Sequence, residues 1–212
     1  MKKRSFVKRI VSLVMSVMML GASLSALAAD EQNAARARNG YYWTKTNLKY
    51  YISSEIYNSE ERSLTFASFA SWQEISYGGS TINFSFTYTS NPDNADIIFQ
   101  KEAMAQGTLA RTDIISTTGG TSGPIEKAYI CLNSADRIAP IPAAYVPNDA
   151  YDYMSIMQHE IGHAMGIAHC CEEENCANVM GGVLKMGQMR RSLKDYDKAS
   201  MIALYTIYHP IA

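Results

Sequence analysis

The residues best suited to chemistry stand together in one short segment of the 212-residue chain. Residues 159 to 169 read HEIGHAMGIAH, which places His159 and His163 four positions apart. Side chains at this spacing share one face of a helix, so two imidazoles can converge on a single ion. Zinc prefers such nitrogen ligands, and three protein ligands leave its fourth position for water. We therefore predict one catalytic Zn²⁺ held by His159, His163 and His169.

Two other residues of this segment fit the same chemistry. Glu160 is not needed as a ligand, and a carboxylate beside the ion can accept a proton from a zinc-activated water. The hydroxide would attack a peptide carbonyl, and Glu160 would pass the proton to the departing amine. Gly166 separates His163 from His169, and a positive φ there would end the helix and turn the third imidazole back to the ion.

A structural zinc site is the main alternative, because such sites close with a fourth protein ligand that is commonly cysteine. Cys170 and Cys171 directly follow His169, so a non-catalytic, zinc-stabilised binding module competes with the enzyme. An interaction protein on an inactivated scaffold is a further hypothesis, and its expected signature is a substituted glutamate. Glu160 is present, which favours hydrolysis.

The helix that must carry the first two histidines is predicted from near Asn148 or Asp149 to Gly166. Its apolar residues recur at helical spacing, and at about 100° per residue the histidines project from the opposite side. The apolar stripe comprises Met154, Met157, Ile161, Ala164 and Met165. Because other side chains occupy the core face, the histidines are expected to face a cleft.

The remaining pattern predicts an α+β domain. A helix is expected from Asn58 to about Ile75, ended by Gly78-Gly79, and a second follows Ser192 and Asp195. The Gly-, Ser- and Thr-rich residues 107 to 124 are predicted to form a long surface loop. Alternation and β-prone composition predict strands at Trp43 to Ile52, Thr81 to Thr89, Ala95 to Gln100 and Lys127 to Asn133.

The first 29 residues have the pattern of an export signal. Five basic residues precede an apolar run from Ile10 to Leu20, and Ala26-Leu27-Ala28 supplies the small residues of a cleavage site. A retained membrane anchor is the alternative, since the uncharged window is about long enough to span a bilayer. The cleavage site favours a signal peptide at 1 to 29, a short leader at 30 to 40 and a secreted catalytic domain at 41 to 212.

The charge balance bears on the class of partner. The chain has 19 basic and 20 acidic residues, and removal of the signal peptide takes away five basic residues and no acidic one. A mildly acidic chain without a basic tract gives no support for nucleic-acid binding. We expect protein or peptide substrates and, after signal cleavage, a monomer with no stable membrane association.

Three of the four cysteines crowd into one segment, and disulfides are permitted in an exported chain. We expect Cys176 to pair with Cys170 or Cys171. A bridge from Cys131 to one of the adjacent pair is an alternative, as is metal binding by the thiols.

The zinc segment resembles a known signature. HEIGHAMGIAH matches the metzincin motif H-E-x-x-H-x-x-G-x-x-H, and Met180 in NVMGG looks like the Met-turn of that family. Three further segments resemble the matrixin branch, namely WTKTNLKYYI, ADIIFQ and LKDYDKASMIALY. The signal peptide and short architecture favour a bacterial source.

The resemblance implies a twisted five-stranded mixed sheet with two long helices, a zinc cleft, and a small C-terminal subdomain with one helix. It also implies that Lys127 to Asn133 is the edge strand along which substrate aligns, and that the segment from Gly181 to Arg191 walls the specificity pocket. Asp197 matches the aspartate that steadies the Met-turn. A first-turn carboxylate favoured by the helix dipole is the alternative for Asp197.

Two other metal sites are known in the matrixin family. The second, structural zinc of animal matrixins needs further histidines upstream, whereas His209 is the one remaining histidine of this chain, so no such site is expected. Calcium is common in the family. Asp113, Glu126 and Asp136 lie near the relevant loops, but no calcium motif supports a site.

Overall fold

The computed structural model describes residues 40 to 54 and 57 to 208. The predicted signal peptide, residues 30 to 39 of the predicted leader and His209 lie outside the described residues. No helix within those two described ranges combines the length and the apolar character needed to cross a membrane.

Three α-helices and ten strands make up the described part of the chain. The helices are α1 (Ser59–Ala70), α2 (Tyr153–Ala164) and α3 (Asp195–Tyr208). The strands are β1 (Tyr41–Tyr42), β2 (Asn47–Ile52), β3 (Glu74–Tyr77), β4 (Ser80–Asn83), β5 (Ser85–Tyr88), β6 (Ile97–Glu102), β7 (Ala110–Ser116), β8 (Gly123–Asn133), β9 (Ile138–Ala139) and β10 (Tyr151–Asp152).

A six-stranded mixed sheet forms one layer of the domain. Its path runs β1-β8-β6-β2-β5, and β7 pairs with β8 off this path. The pairings along the path are parallel, whereas β7 lies antiparallel to β8. The mixed α+β architecture confirms the predicted fold class, and the two-residue β1 accounts for the strand beyond the expected five.

The predicted edge strand was wrong. The segment from Lys127 to Asn133 belongs to β8, which lies between β6 and β7, and most of its last six residues are buried. The strand on this side that leaves an edge unpaired, among the described residues, is β7. It falls inside the stretch predicted to be a loop, because the alternation of Ala110, Thr112 and Ile114 is hidden among glycine, serine and threonine.

The first predicted helix was too long. The capping box at its start is present, with the Glu61 N–H donating to Asn58 Oδ1 at 2.9 Å, but the helix ends at Ala70. Ile75 instead pairs with Ile82 in the antiparallel hairpin β3–β4, and Gly78-Gly79 forms its turn with positive φ. A buried apolar residue at a spacing of three fits either element, which explains the error.

The predicted strand from Thr81 to Thr89 is divided between two sheets. Its first part is β4 of the hairpin, and its second part is β5, which pairs with β2 in the main sheet. Phe84 lies between the two strands and is buried. The sequence alternation therefore continues across a change of pairing partner.

Helix α2 begins later than the sequence predicted and ends close to Gly166. Asp152 caps its first turn, accepting a hydrogen bond from the Ser155 N–H at 3.0 Å, whereas residues just before it form β10. Buried indoles fix the helix from two sides, with Trp72 Nε1 donating to the Gln158 carbonyl and Trp43 Nε1 to the Ala164 carbonyl. The helix that carries the motif is thus capped at its start and held by indoles at its middle and at its last residue.

Candidate metal centre and active-site cleft

Three imidazoles meet at one point beside α2. His159 and His163 come from the helix, and His169 follows the turn at Gly166, whose φ of +92° confirms the predicted left-handed conformation. His159 Nε2 lies 3.2 Å from His169 Nε2, and the candidate ligand atoms of the three residues all lie within 4.8 Å of one another. The predicted convergence of the three histidines is therefore present in the fold.

The other nitrogen of each ring has a partner of its own. His159 Nδ1 lies 2.8 Å from the Val179 carbonyl, and His163 Nδ1 lies 2.7 Å from the Ile167 carbonyl. A proton on Nδ1, donated to these oxygens, leaves the Nε2 lone pairs directed at the shared point. Three neutral imidazole nitrogens with fixed tautomers are a donor set that fits zinc.

The third ring has a carboxylate partner. His169 Nδ1 lies 2.8 Å from Glu172 Oε1. Gly182 makes room for this contact, because a Cβ there would stand 2.1 Å from Glu172 Oε2. A carboxylate on the outer nitrogen orients a ligating imidazole and raises its basicity.

Desolvation favours the neutral form of the two helical imidazoles. It lowers the pKa of His159 to about 3, with the neighbouring His163 acting in the same direction, and it lowers the pKa of His163 to about 4. Both rings are therefore neutral at pH 7 and need not lose a proton before they bind a metal ion.

Glu160 lies beside the imidazoles but is not a member of their group. Its side chain borders the cleft, although the residue is only 5% exposed. Burial raises the pKa of Glu160 to about 7, while a hydrogen bond from Thr112 acts against this rise. The Thr112 hydroxyl donates to Glu160 Oε2 at 2.6 Å.

Met180 is fully buried against the helix that bears the histidines. Gly162 permits this approach, because a Cβ at that position would stand 2.3 Å from Met180 Sδ and 3.0 Å from Trp72 Cζ2. Asp197 accepts hydrogen bonds from the backbone N–H groups of Val179 and Met180 at 3.0 and 3.1 Å. The contact that the resemblance implied for Asp197 is thus present.

A cleft of about 850 Å³ runs past the imidazoles. Its lining includes residues 107 to 112, at and before the start of β7, and residues 181 to 184, which follow Met180. Arg190 holds residues 181 to 184 in place, because its buried guanidinium donates to the carbonyls of Gly181, Glu174 and Val183. The segment expected to wall the pocket therefore has an internal anchor.

Three of the four cysteines, Cys170, Cys171 and Cys176, form a second group, separate from the imidazoles. Cys171 and Cys176 are bridged, which confirms one of the two expected pairings. Cys131 is a buried free thiol, so its proposed bridge to the adjacent pair was wrong. Cys170 is also free and lies 3.0 Å from Cys171 Sγ, within the sulfur cluster.

The residues considered for calcium have other partners. Asp113 accepts a hydrogen bond from Arg111 Nε at 2.8 Å, and Asp136 accepts one from Asn133 Nδ2 at the same distance. Together with Glu126 they form no group of metal ligands within the described ranges.

Thr112, Glu172 and Arg190 were not singled out from the sequence. Each acts through a contact between distant segments or within an irregular loop, so no periodicity marks it. The pair Gly181-Gly182 was one usable signal, since both glycines leave room for a neighbouring side chain, Arg190 and Glu172 respectively.

Comparison with known proteins agrees with this geometry. No curated protein matches the chain. A family model described as Matrixin matches residues 42 to 206, which include all three imidazoles, Glu160, Met180 and Asp197. Matrixins are zinc-dependent endopeptidases that act on peptides and proteins. With most of its length matched and the motif in place, the chain belongs to the matrixin family.

Proposed function

We propose that this protein is a secreted zinc-dependent endopeptidase in which His159, His163 and His169 hold the ion and Glu160 moves the proton. The observation that carries the proposal is the convergence of three Nε2 atoms beside a cleft that Glu160 also borders. When bound, zinc would lower the pKa of a coordinated water and polarise the substrate carbonyl.

The chain's own residues supply the proton transfers. Glu160 accepts a proton from the attacking water and later gives it to the amine of the departing product. Because Glu160 is buried, its carboxylate oxygens are largely shielded from bulk water. The Val179, Ile167 and Glu172 oxygens keep the three imidazoles in the ligating tautomer throughout.

An extended peptide is the substrate shape that fits the cleft. Within the described residues β7 pairs with β8 alone, so its other edge offers unpaired backbone groups beside the cleft. A peptide can add to such an edge as a further strand, with affinity from main-chain hydrogen bonds. The free edge supports a substrate role for β7 in place of the strand first expected.

Export is supported by the N-terminal sequence pattern alone. We infer cleavage after Ala28 or Ala29, giving a secreted protein that starts at Ala29 or Asp30. N-terminal sequencing of the protein from culture supernatant tests this directly. Retention of residues 1 to 28 in a membrane fraction would contradict it.

Two substitutions test the roles in the site. Glu160→Gln keeps the volume and the contact with Thr112 but cannot accept a proton, so zinc content should be kept and peptide cleavage should fall at least about 100-fold. His163→Ala should lose zinc and activity together. Zinc content and hydrolysis of an unfolded protein are measured side by side, with Glu126→Gln as an exposed control.

The proposal fails in two recognisable ways. Near wild-type cleavage by Glu160→Gln would exclude the carboxylate as the base. Wild-type protein that holds zinc but cleaves nothing in a broad peptide library would instead favour the non-catalytic binding module.

A further inference from the structure

We propose that Thr112 is a positioning residue for peptide hydrolysis, because its hydroxyl ties the Glu160 carboxylate to the edge strand that faces the substrate. The inference rests on the proposed function and extends it to a residue on a different element from the zinc motif.

The contact between the two residues is short and long-range in sequence. Thr112 Oγ1 lies 2.6 Å from Glu160 Oε2 and 3.1 Å from the Glu160 carbonyl oxygen, across 48 residues of chain. Among the described residues no cation pairs with Glu160, and Thr112 is the one side chain that donates to its carboxylate. A buried carboxylate with a single side-chain donor depends strongly on that donor.

The alternation of β7 explains why position 112 can reach the helix. Ala110, Thr112 and Ile114 are partly buried on the side of α2, whereas Arg111 and Asp113 are exposed on the other side. The two exposed side chains bond to each other, with Arg111 Nε donating to Asp113 Oδ2. Thr112 is therefore the polar residue on the inward face of the strand, directly opposite the helix that carries Glu160.

The hydrogen bond from Thr112 occupies one oxygen of the Glu160 carboxylate and leaves the other oxygen available. Oε2 is held by Thr112, and Oε1 has no hydrogen-bond partner within the described part of the chain. Glu160 borders the cleft, so Oε1 is the oxygen able to accept the proton of the attacking water. Rotation of the carboxylate about its last bond would exchange the two oxygens, and the Thr112 bond opposes that rotation.

Strand β7 would then position both the peptide substrate and the general base Glu160. A peptide that pairs with the outer edge of β7 is positioned by backbone groups of that strand, and the Thr112 side chain fixes Glu160 from the same residue. A displacement of reacting groups by about 1 Å can cost about 100-fold in rate. Loss of the hydroxyl should therefore lower kcat with little effect on substrate binding.

The test compares Thr112→Val, which removes the hydroxyl at nearly constant volume, with Thr112→Ser, which keeps it. Thr112→Val should lower kcat about tenfold or more and leave KM within about twofold, since a hydrogen bond to a charged group is lost in the transition state. Thr112→Ser should restore most of kcat. Thr87→Val, on the exposed face of β5, is the matched control for a threonine-to-valine change on a strand.

Two readouts do not depend on turnover. Zinc content should be the same in wild type, Thr112→Val and Thr112→Ser, because the hydroxyl contacts no metal ligand. Tm should fall in Thr112→Val alone, because that variant leaves a buried carboxylate oxygen without its donor. Loss of zinc from Thr112→Val, or equal loss of kcat in both Thr112 variants, would overturn the positioning role. So would an unchanged kcat in Thr112→Val of an active enzyme, whereas an inactive wild type would overturn the proposed function and this role together.

Discussion

Asp197 in α3 accepts a hydrogen bond from the backbone N–H of Met180 at 3.1 Å, across 17 residues of sequence. The same carboxylate accepts from the Val179 N–H, and the Val179 carbonyl in turn contacts His159 Nδ1. It also accepts from the Lys194 N–H at 2.8 Å, just before the helix begins. Asp197 thus serves both roles left open from the sequence: it steadies the Met-turn and stabilises the start of the last helix.

Removal of this carboxylate should destabilise the protein. Asp197→Ala leaves buried N–H groups without an acceptor, and we expect the free energy of unfolding to fall by about 3 kcal/mol. Asp195→Ala, an exposed carboxylate in the first turn of the same helix, should cost less than about 1 kcal/mol. Chemical denaturation of both variants is the measurement. Equal losses would contradict the assigned contacts.

Gly162→Ala should be destabilising through a collision with Met180. The new Cβ would stand 2.3 Å from Met180 Sδ, and such overpacking costs about 1–3 kcal/mol. Gly120→Ala is the matched control, since its Cβ would have no atom nearer than 3.7 Å. Combining Gly162→Ala with Met180→Ala should cost less than the sum of the two single changes. Additive losses would show that the two residues do not collide.

The zinc motif and its helix could be predicted because their information is local. The spacing of His159 and His163 places both imidazoles on one face of the helix, and Gly166 ends the helix with a turn. All of this information lies within eleven residues. The edge strand could not be predicted, because β7 becomes a strand by pairing with β8 and only Ala110, Thr112 and Ile114 alternate inward. The contact between Thr112 and Glu160 depends on that pairing and was missed with it.

The first helix was predicted too long, whereas strand β7 was missed. Phe66, Phe69, Trp72 and Ile75 recur at threes, which favours one continuous helix. All but Phe66 are buried, yet Ile75 reaches the core from a hairpin strand after the helix has ended at Ala70. The burial of Ile75 alone does not reveal whether a helix or a strand carries this residue. Ile75 lies in a strand because β3 pairs with β4 in the hairpin.

Glu172→Ala should weaken zinc binding. Loss of the carboxylate on His169 Nδ1 removes the group that orients the third ligand, and such partners are worth about 10- to 100-fold in metal affinity. Glu173→Ala, the exposed neighbour in the same disulfide loop, is the matched control. Competition with a chromophoric chelator measures both affinities. Unchanged affinity in Glu172→Ala would show that His169 needs no carboxylate.

The protein should contain one disulfide and two free thiols. Peptide mapping without reduction should recover Cys171 linked to Cys176, with Cys131 and Cys170 unbridged. Thiol counting after denaturation, with trapping by an alkylating reagent at acidic pH, limits exchange within the sulfur cluster. Recovery of a Cys170–Cys176 bridge under these conditions would contradict the observed pairing.

The metal-free protein should lose stability as the pH falls from 6.5 to 4.5. In the unfolded chain an imidazole titrates near 6.5, whereas in the folded chain the pKa of His159 is about 3 and that of His163 about 4. The unfolded state therefore binds more protons in this window, and the free energy of unfolding decreases as the pH falls. Glu160 opposes this trend, because its folded pKa of about 7 lets the folded state bind a proton first as the pH falls.

Two variants separate these opposing contributions. His163→Asn removes one of the two destabilising protonations, so its stability should depend less on pH, by up to about 1.4 kcal/mol per pH unit. Glu160→Gln removes the opposing group, and its stability should fall more steeply than that of wild type. Chemical denaturation of chelator-treated protein at pH 6.5, 5.5 and 4.5 gives the three slopes. Because the other titrating groups are shared, a Glu160→Gln slope equal to or shallower than wild type would mean that burial does not raise the pKa of this carboxyl.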